Sequence, residues 1–211
     1  MIRRSMIVLC IAFLCIIGLI FLCKKLFFLQ TGQDAVQETG QIDWTGAPEI
    51  DVELLDVNEY SRPGIALEQV NSIVIHYTAN PGSSAMANRD YFEGLKDAHT
   101  TKASSHFIVG LVGEVVQCIP EIAYASNNRN ADTISIECCH PDDTGAFNTA
   151  TYQSMVQLTA WLCNRFGLTG QDVIRHYDVT GKICPKYFVE HEDAWEQFKT
   201  DVQQQIEALA S

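Results

Sequence analysis

Apolar residues fall in short runs along this chain, and several of these runs have the composition of β-strands. The segments SIVIHY (72–77) and TISIEC (133–138) are almost wholly apolar and rich in β-branched residues, a pattern typical of strands buried on both faces of a sheet. Ile50, Val52 and Leu54 alternate with acidic residues, as expected for an edge strand. Further strands are predicted at 106–109, 114–117 and 173–176, and the first two form a hairpin around 110–113.

Segments with helical periodicity lie between these strands. One helix is predicted over 85–95 and a second over 151–166, where Gly167 supplies the stop signal. A last helix carries Trp195, Phe198 and Leu209 on one side. Because strands and helices alternate, the pattern predicts an α/β fold in which a central mixed β-sheet is flanked by helices.

The N-terminus has a different pattern, because eighteen residues from Met6 to Cys23 contain no charge. A helix of this length spans ~27 Å, close to the hydrocarbon thickness of a bilayer. The segment is therefore a membrane-spanning signal anchor or a long signal peptide, and retention is favoured because no small-x-small cleavage site follows it. A buried core helix is the alternative, but it would need apolar neighbours on every side.

Composition divides the chain into three parts. Residues 1–29 are predicted to be an N-terminal transmembrane helix with its flanks, 30–49 an acidic flexible tether with scattered glycines, and 50–211 one catalytic domain. Without the four basic residues that flank the apolar run, the chain has ten positive and 26 negative side chains, a net charge of −16. Because such an acidic chain repels the phosphate backbone of nucleic acids, we expect no nucleic-acid partner.

Candidate metal ligands stand at or near the ends of the predicted buried strands. His76 lies near the end of SIVIHY, His176 ends VIRH, and Cys184 follows eight residues later. Two imidazoles and a thiolate are a known catalytic zinc set, since three protein ligands leave the fourth tetrahedral position for water. Taken singly, each residue has a plainer interpretation: a strand-end histidine is often a satisfied core or capping residue, and the cysteine could be an ordinary buried thiol.

Four segments carry a resemblance to a known family. In order along the chain they are IVIHYTANPGSSA, SSHFIVGLVGEVVQCIP, NADTISIECCHP and VIRHYDVTGKICPKYF, at residues 73–85, 104–120, 130–141 and 173–188. In sequence and spacing they resemble zinc-dependent N-acetylmuramoyl-L-alanine amidases (amidase type 2) of the phage-lysozyme-like, peptidoglycan-recognition superfamily. The likeness covers roughly two thirds of the chain, and its last segment is the most specific.

The resemblance implies a role for five side chains. His76, His176 and Cys184 become the ligands of one Zn²⁺, while Glu137 and Lys182 become catalytic residues. Some branches of the family use a tyrosine, and others a glutamate on a later strand, to assist the water. The tyrosine position is Ser105 in this chain, so the resemblance assigns the proton chemistry to Glu137.

Physical arguments support both catalytic assignments and leave alternatives open. Strand alternation puts Glu137 on one face with Ser135, and a carboxylate there can take a proton from water and pass it to the departing amine. Lys182 would stabilise the oxyanion of the tetrahedral intermediate. The alternatives are a structural salt bridge between Glu137 and a basic residue, and a solvated loop cation for Lys182.

The other histidines are assigned lesser roles. His106 is interpreted as a wall of the site or a support for a ligand, with a core role equally open. His140 would hold a loop near the end of the sheet, and His99 and His191 are expected at the surface. Ala125 stands where many members of the resembled family carry a further histidine. Among the cysteines, a disulfide or buried free thiols are both open for Cys118, Cys138, Cys139 and Cys163.

Together these features predict a peptidoglycan hydrolase that cleaves the amide between the lactyl group of N-acetylmuramic acid and L-alanine of the stem peptide. Such a substrate implies a single-pass membrane protein, anchored by its N-terminal helix, with the catalytic domain on the external, cell-wall side. We expect a monomer. Two other functions fit the same pattern: a non-catalytic peptidoglycan-binding module of the same fold, and a different zinc hydrolase, either a peptidase that cuts within the stem peptide or a deacetylase.

Overall fold

The computed structural model describes residues 44–120 and 131–210. The predicted membrane anchor (1–29) and residues 30–43 of the predicted tether lie outside these ranges. Within them, no helix combines the length and the apolar character needed to cross a membrane. Residues 44–49, assigned to the tether from sequence, contact the domain: Trp44 stacks on Trp161 with ring centroids 5.2 Å apart, and Gln157 donates a hydrogen bond to the Gly46 carbonyl.

Six short strands form one sheet in the described part of the chain. Their bounds are β1 Ile50–Val52, β2 Ser72–Tyr77, β3 Phe107–Val109, β4 Val115–Gln117, β5 Thr133–Cys138 and β6 Val173–Arg175. They lie side by side in the order β1-β4-β3-β5-β2-β6. The strands β3, β5, β2 and β6 run parallel to one another, whereas β4 is antiparallel to β3 and parallel to β1. This confirms the predicted mixed sheet and the β3–β4 hairpin.

Within the described ranges five α-helices accompany the sheet: α1 Ala85–Ala98, α2 Thr149–Phe166, α3 His176–Thr180, α4 Lys186–Glu190 and α5 Glu192–Leu209. Side chains cap the starts of the two longer internal helices, because the Ser84 hydroxyl accepts from the Ala87 N–H and the Asn148 carbonyl oxygen accepts from the Thr151 N–H. Gly167 ends α2 with a φ of 67°, the left-handed conformation that the sequence predicted for this glycine.

The apolar periodicity of α1 is explained by its packing against the sheet. Phe92 and Leu95 of this helix join a buried cluster with Ile108 of β3 and Val116 of β4. The helix α2 contacts β2 and β3, and α5 packs along α2. The sheet is therefore flanked by helices, which hold the four parallel strands in place and leave their carboxyl ends at a common edge.

Several boundaries differ by one to three residues from the sequence prediction, and the structure explains two of them. The helix α1 continues three residues past Leu95, to Ala98, and ends where His99 adopts a left-handed conformation with a φ of 54°. The strand β6 ends at Arg175 rather than at His176, which begins α3. The side chain of Asp178 accepts from the Arg175 N–H and thereby turns the chain into the helix at this point.

Candidate metal centre

The register of the parallel strands brings three site residues to one level of the sheet. His76 of β2 pairs with Glu137 of β5. On the other side of β2, Ile75 pairs with Arg175, the last residue of β6. The residues that follow this pair are His76 in β2 and His176 at the start of α3, and they lie side by side. Side chains at equivalent positions of paired strands project to the same face. Three residues that lie 39 to 100 positions apart in sequence are thus neighbours at the carboxyl edge.

Cys184 reaches the same place through the loop after α3. The Tyr177 N–H donates to the Cys184 carbonyl at 2.9 Å, which closes the loop onto the residue after His176. Gly181 ends α3 with a φ of 77°, a conformation that glycine adopts without strain, and the chain then returns toward β2. The thiol is 2% exposed at the end of this return.

The three predicted ligands converge. Ligand atoms of His76, His176 and Cys184 all lie within 4.8 Å of one another. The Cys184 Sγ is 3.8 Å from the His76 Nδ1, and the two imidazole rings are 4.6 Å apart between centroids. Glu137 Oε1 is also 3.8 Å from the His76 Nδ1. We refer to His76, His176 and Cys184 below as the metal-binding trio.

The trio fits a zinc ion in geometry and in chemistry. Tetrahedral zinc with N and S ligands separates its donor atoms by about 3.4–3.6 Å, close to the 3.8 Å between Cys184 Sγ and His76 Nδ1. The buried His76 Nε2 and Glu137 Oε2 have no hydrogen-bond partner, whereas buried polar atoms in structural roles are normally paired. Two imidazole nitrogens and one thiolate also form a donor set that zinc prefers.

Burial keeps both histidines in the form that can ligate a metal. Burial, together with smaller contributions from the nearby His176 and Lys182, lowers the pKa of His76 to about 3. The pKa of His176 is also lowered, first by burial and then by Lys182. Both rings are therefore neutral at physiological pH, and a neutral ring nitrogen offers a lone pair to a cation.

The thiol and the carboxyl respond to burial in the opposite direction. Burial, with a smaller contribution from Glu137, raises the pKa of Cys184 to about 12, so metal binding must displace the thiol proton. Burial likewise raises the pKa of Glu137 to about 8, although the charge of Lys182 opposes it. A carboxyl group in this range both accepts and donates protons near neutral pH.

Comparison with known proteins identifies the family. A family model for N-acetylmuramoyl-L-alanine amidase matches residues 66–187, more than half of the chain. This chain belongs to the N-acetylmuramoyl-L-alanine amidase family. The resemblance stated from sequence is thereby confirmed, and the matched range contains the metal-binding trio, Glu137 and Lys182.

Two amidases from Bacillus species illustrate the relationship. The N-acetylmuramoyl-L-alanine amidase CwlL of Bacillus licheniformis is 40% identical over 161 residues, which cover 69% of this chain and 44% of that protein. The N-acetylmuramoyl-L-alanine amidase BlyA of Bacillus subtilis (strain 168) is 34% identical over 171 residues, covering 70% of this chain and 45% of that protein. This chain therefore spans less than half the length of these curated relatives.

Solved structures share the fold of this amidase family member. The catalytic domain of XlyA is 25% identical, with a TM-score of 0.63 over 74% of this chain and 99% of that one. The Staphylococcus aureus hydrolase AmiA in complex with its ligand, at 18% identity and a TM-score of 0.59, covers 76% of this chain and 84% of that one and shares the fold.

A cavity of about 570 Å³ opens beside the metal-binding trio. Glu137 and Lys182 line it together with the trio. Tyr91 and Phe92 of α1 form part of its wall, as does the segment after α1. Lys182 is exposed and lines the cavity from the loop after α3, while Glu137 lines it from β5. All five side chains that the resemblance singled out therefore border one cavity.

The histidines outside the trio divide as follows. His106 has a core position: it is fully buried, its Nδ1 accepts from the Ser135 N–H at 3.1 Å, and it does not line the cavity. His140 supports the loop after β5, because its Nδ1 lies 2.7 Å from the Asp142 carbonyl. His99 and His191 are exposed, as predicted, and Ala125 lies outside the described residues. Ser105 is buried and donates to the Phe107 carbonyl.

The remaining cysteines of the described ranges are buried free thiols. Burial raises the pKa of Cys118, Cys139 and Cys163 to about 12, and that of Cys138 well above its ordinary value. Protonated, enclosed thiols behave as small apolar residues. Of the two possibilities that the sequence left open, the structure shows the free form.

Sequence reasoning missed the side chain that precedes His176. Arg175 is 7% exposed, and its guanidinium donates to Asp178, to Glu192 and to the Phe188 carbonyl. These bonds connect β6 to α3, α4 and α5. An arginine at a strand end carries no signal of such a network in sequence, because its partners lie up to 17 residues away.

Proposed function

We propose that this protein hydrolyses the amide between the lactyl group of N-acetylmuramic acid and L-alanine of the stem peptide, with one zinc ion. One observation carries the proposal: the metal-binding trio and the partly buried carboxyl of Glu137 meet at the border of one cavity. Membership of the amidase family supports the substrate class, since the relatives named above are N-acetylmuramoyl-L-alanine amidases.

The trio supplies the three protein ligands, and zinc bound there supplies a Lewis acid that polarises the scissile carbonyl and acidifies water. His76 and His176 contribute neutral rings, and Cys184 binds as thiolate after losing its proton. His76 lies in β2, and His176 directly follows the neighbouring parallel strand β6, so the sheet sets the spacing of these two ligands. Such a support would hold the two side chains in place for the metal.

Glu137 moves the proton. Its Oε1 lies 3.8 Å from the His76 Nδ1, at the level of the trio, and its Oε2 is buried without a partner. The carboxylate takes a proton from the attacking water and then passes it to the nitrogen of the departing L-alanine. A pKa raised to about 8 suits both steps, because the protonated and the ionised form are then both populated near neutral pH.

Lys182 stabilises the negative charge that develops on the carbonyl oxygen. Its ammonium group borders the cavity, and its charge reaches the trio and Glu137, whose pKa values it lowers. A positive charge aimed at a developing oxyanion lowers the barrier, and loss of one such donor costs roughly 3–4 kcal/mol.

The cellular setting is part of the same proposal. Peptidoglycan lies outside the cytoplasmic membrane, so the catalytic domain must act on the external side, with the apolar segment Met6 to Cys23 as its anchor. We propose a monomer held near the wall by the acidic tether. A protease added to intact cells should remove the domain and leave the anchor, whereas full protection would contradict this orientation.

The activity is tested by digestion of purified muropeptides with the full chain, solubilised in detergent and supplied with zinc. Mass spectrometry should show free lactyl carboxyl groups and stem peptides that begin with a free L-alanine amine. Cleavage inside the stem peptide, or loss of acetyl groups, would identify one of the other zinc hydrolases. Binding without any product, from protein that holds one zinc per chain, would identify a recognition module and overturn the proposal.

A further inference from the structure

A second lysine lines the cavity at a position that the proposed mechanism does not use. Residues 99–104, which we call the rim loop, follow α1 and contribute Thr101, Lys102, Ala103 and Ser104 to the cavity wall. The chain has 14 basic and 26 acidic residues. Yet the charged residues among the described lining are two lysines, Lys102 and Lys182, and one carboxyl, Glu137. Basic side chains therefore outnumber acidic ones on the described cavity wall, although acidic residues outnumber basic ones in the whole chain.

Lys102 and Lys182 border the cavity from different segments of the chain. Lys182 stands two residues before Cys184 in the loop after α3, whereas Lys102 stands in the rim loop after α1. A ligand that fills the cavity can therefore present one group to the trio and another to Lys102.

The rim loop is held in position through Tyr60. The Ala103 N–H donates to the Tyr60 carbonyl at 3.1 Å, and the His99 ring stacks on the Tyr60 ring with centroids 4.4 Å apart. The Lys102 Nζ lies 5.6 Å from the centre of the same ring, within the range of a cation–π contact. These contacts on both sides of Lys102 fix where its backbone stands on the cavity wall.

The ammonium group remains available to a ligand. Its ion pair with Glu59 spans 3.8 Å, and both side chains are more than half exposed. An exposed pair of this kind contributes little, so a ligand carboxylate can replace Glu59 at small cost. By contrast, Lys96 of α1 forms ion pairs with both Asp56 and Glu93.

We propose that Lys102 is a specificity-determining residue that binds a carboxylate of the stem peptide while the amide next to L-alanine is cleaved. The inference rests on the proposed function, because it takes the stem peptide as the ligand. Two carboxylates of a stem tripeptide have the required chemistry: the α-carboxylate of a γ-linked D-glutamate in second place, and the carboxylate at the C-terminus. The rim loop meets one of them when the scissile amide lies at the trio.

The test compares three synthetic substrates with the zinc-loaded full chain. The first is muramoyl-L-Ala-γ-D-Glu-L-Lys with both carboxylates free; the second has a carboxamide on the glutamate, and the third a carboxamide at the C-terminus. Each is assayed with the unaltered protein, with Lys102→Met and with Lys102→Arg. Lys199→Met is the matched control, since Lys199 pairs with Glu196 on α5 and does not line the cavity.

Lys102→Met should lower kcat/KM for the fully charged substrate about fivefold, as expected for one exposed charge pair. The loss should lie in KM, because the contact is the same in the bound substrate and in the transition state. Amidation of the contacted carboxylate should abolish the difference between the two proteins, and this identifies which carboxylate binds. Lys102→Arg should restore the preference, Lys199→Met should change nothing, and added salt should shrink the difference.

Two results would overturn the inference and are distinguishable from each other. Equal losses on all three substrates, or no loss on any, would show that Lys102 does not recognise a carboxylate although the enzyme is an amidase. Failure of the unaltered, zinc-loaded protein to cleave any of the three would refute the proposed function, and the inference would fall with it.

Discussion

His76 and His106 are both buried and both stand beside β5, yet their surroundings differ. The His106 ring lies next to Ser135, whose backbone N–H donates to its Nδ1 at 3.1 Å. The His76 ring lies next to Glu137, two residues further along the same face of the strand. Its Nε2 has no hydrogen-bond partner, while its Nδ1 faces a carboxylate oxygen and a sulfur, each 3.8 Å away.

The difference shows what marks a functional histidine in this fold. Burial alone does not, because His106 is fully buried and His76 is 6% exposed. The mark is the set of neighbours. A backbone N–H donates to the His106 Nδ1. Around His76, by contrast, an imidazole, a thiol and a carboxyl converge, and the buried His76 Nε2 and Glu137 Oε2 have no hydrogen-bond partner. Such an arrangement is costly unless a cation joins it.

The largest expected effect comes from removing the ring at the metal centre. His76→Ala takes away one of three protein ligands, so we expect a loss of roughly a thousandfold or more in kcat and of stoichiometric zinc. Metal analysis and release of stem peptides from muropeptides measure both quantities. The matched variant, His106→Asn, keeps an acceptor for the Ser135 N–H and should retain zinc and activity. Full activity of His76→Ala would show that the trio is not the metal centre.

The next effect concerns the carboxyl beside His76. Glu137→Gln preserves shape but cannot accept the proton of water, so kcat should fall about 10²–10⁴-fold while zinc content stays at one per chain. Ser135→Ala changes the equivalent position beside His106 and serves as the control, with kcat expected within a few fold of the unaltered protein. Unchanged kcat in Glu137→Gln would remove the proton role from this residue.

A smaller effect is expected from the residue that supports His176. Arg175→Lys keeps the charge but loses the planar set of bonds to Asp178, Glu192 and the Phe188 carbonyl. We expect zinc affinity to fall about 10–100-fold, as for other groups that orient a ligand. Competition with a chelator measures the affinity, and a thermal melt confirms the fold. Arg165→Lys, on α2, should leave the affinity unchanged; equal affinity in both variants would confine Arg175 to a structural role.

The smallest effect is expected for His106, which lies in the core rather than at the candidate metal centre. His106→Leu leaves the Ser135 N–H buried without an acceptor, which should lower the free energy of unfolding by about 1–3 kcal/mol. His106→Asn should recover part of that loss, and urea denaturation compares the two variants. Zinc affinity should be the same in both, since His106 does not line the cavity. A change in zinc affinity would place His106 among the supports of the metal centre.

Sequence reasoning located the strands and the long helices because their signals are local. The segment SIVIHY is buried along almost its whole length and forms β2 as predicted, and the stop signal at Gly167 ends α2. It also named His76, His176 and Cys184 from their positions near strand ends, reinforced by the family resemblance. Parallel strands end at a common edge, so this placement follows from the strand pattern once the sheet is correctly predicted.

What the sequence did not reveal depends on contacts between distant segments. His106 could have been a wall of the site or a core residue until Ser135, 29 residues away, was found to bond its ring. The Arg175 network joins three separate helices, and Tyr60 contacts the rim loop from an earlier segment of the chain. No periodicity or spacing encodes these partners, so sequence reasoning could not predict them.

The six-residue pairing of β2 with β5 constrains how this protein can change. It sets His76 opposite Glu137, with Ile136 and Cys138 on either side. Deleting or inserting one residue within β5 would shift the two strands past each other by one position and present an isoleucine or a thiol to the imidazole in place of the carboxylate. Substitutions along β5 can accumulate singly, but its length cannot drift without loss of the reaction.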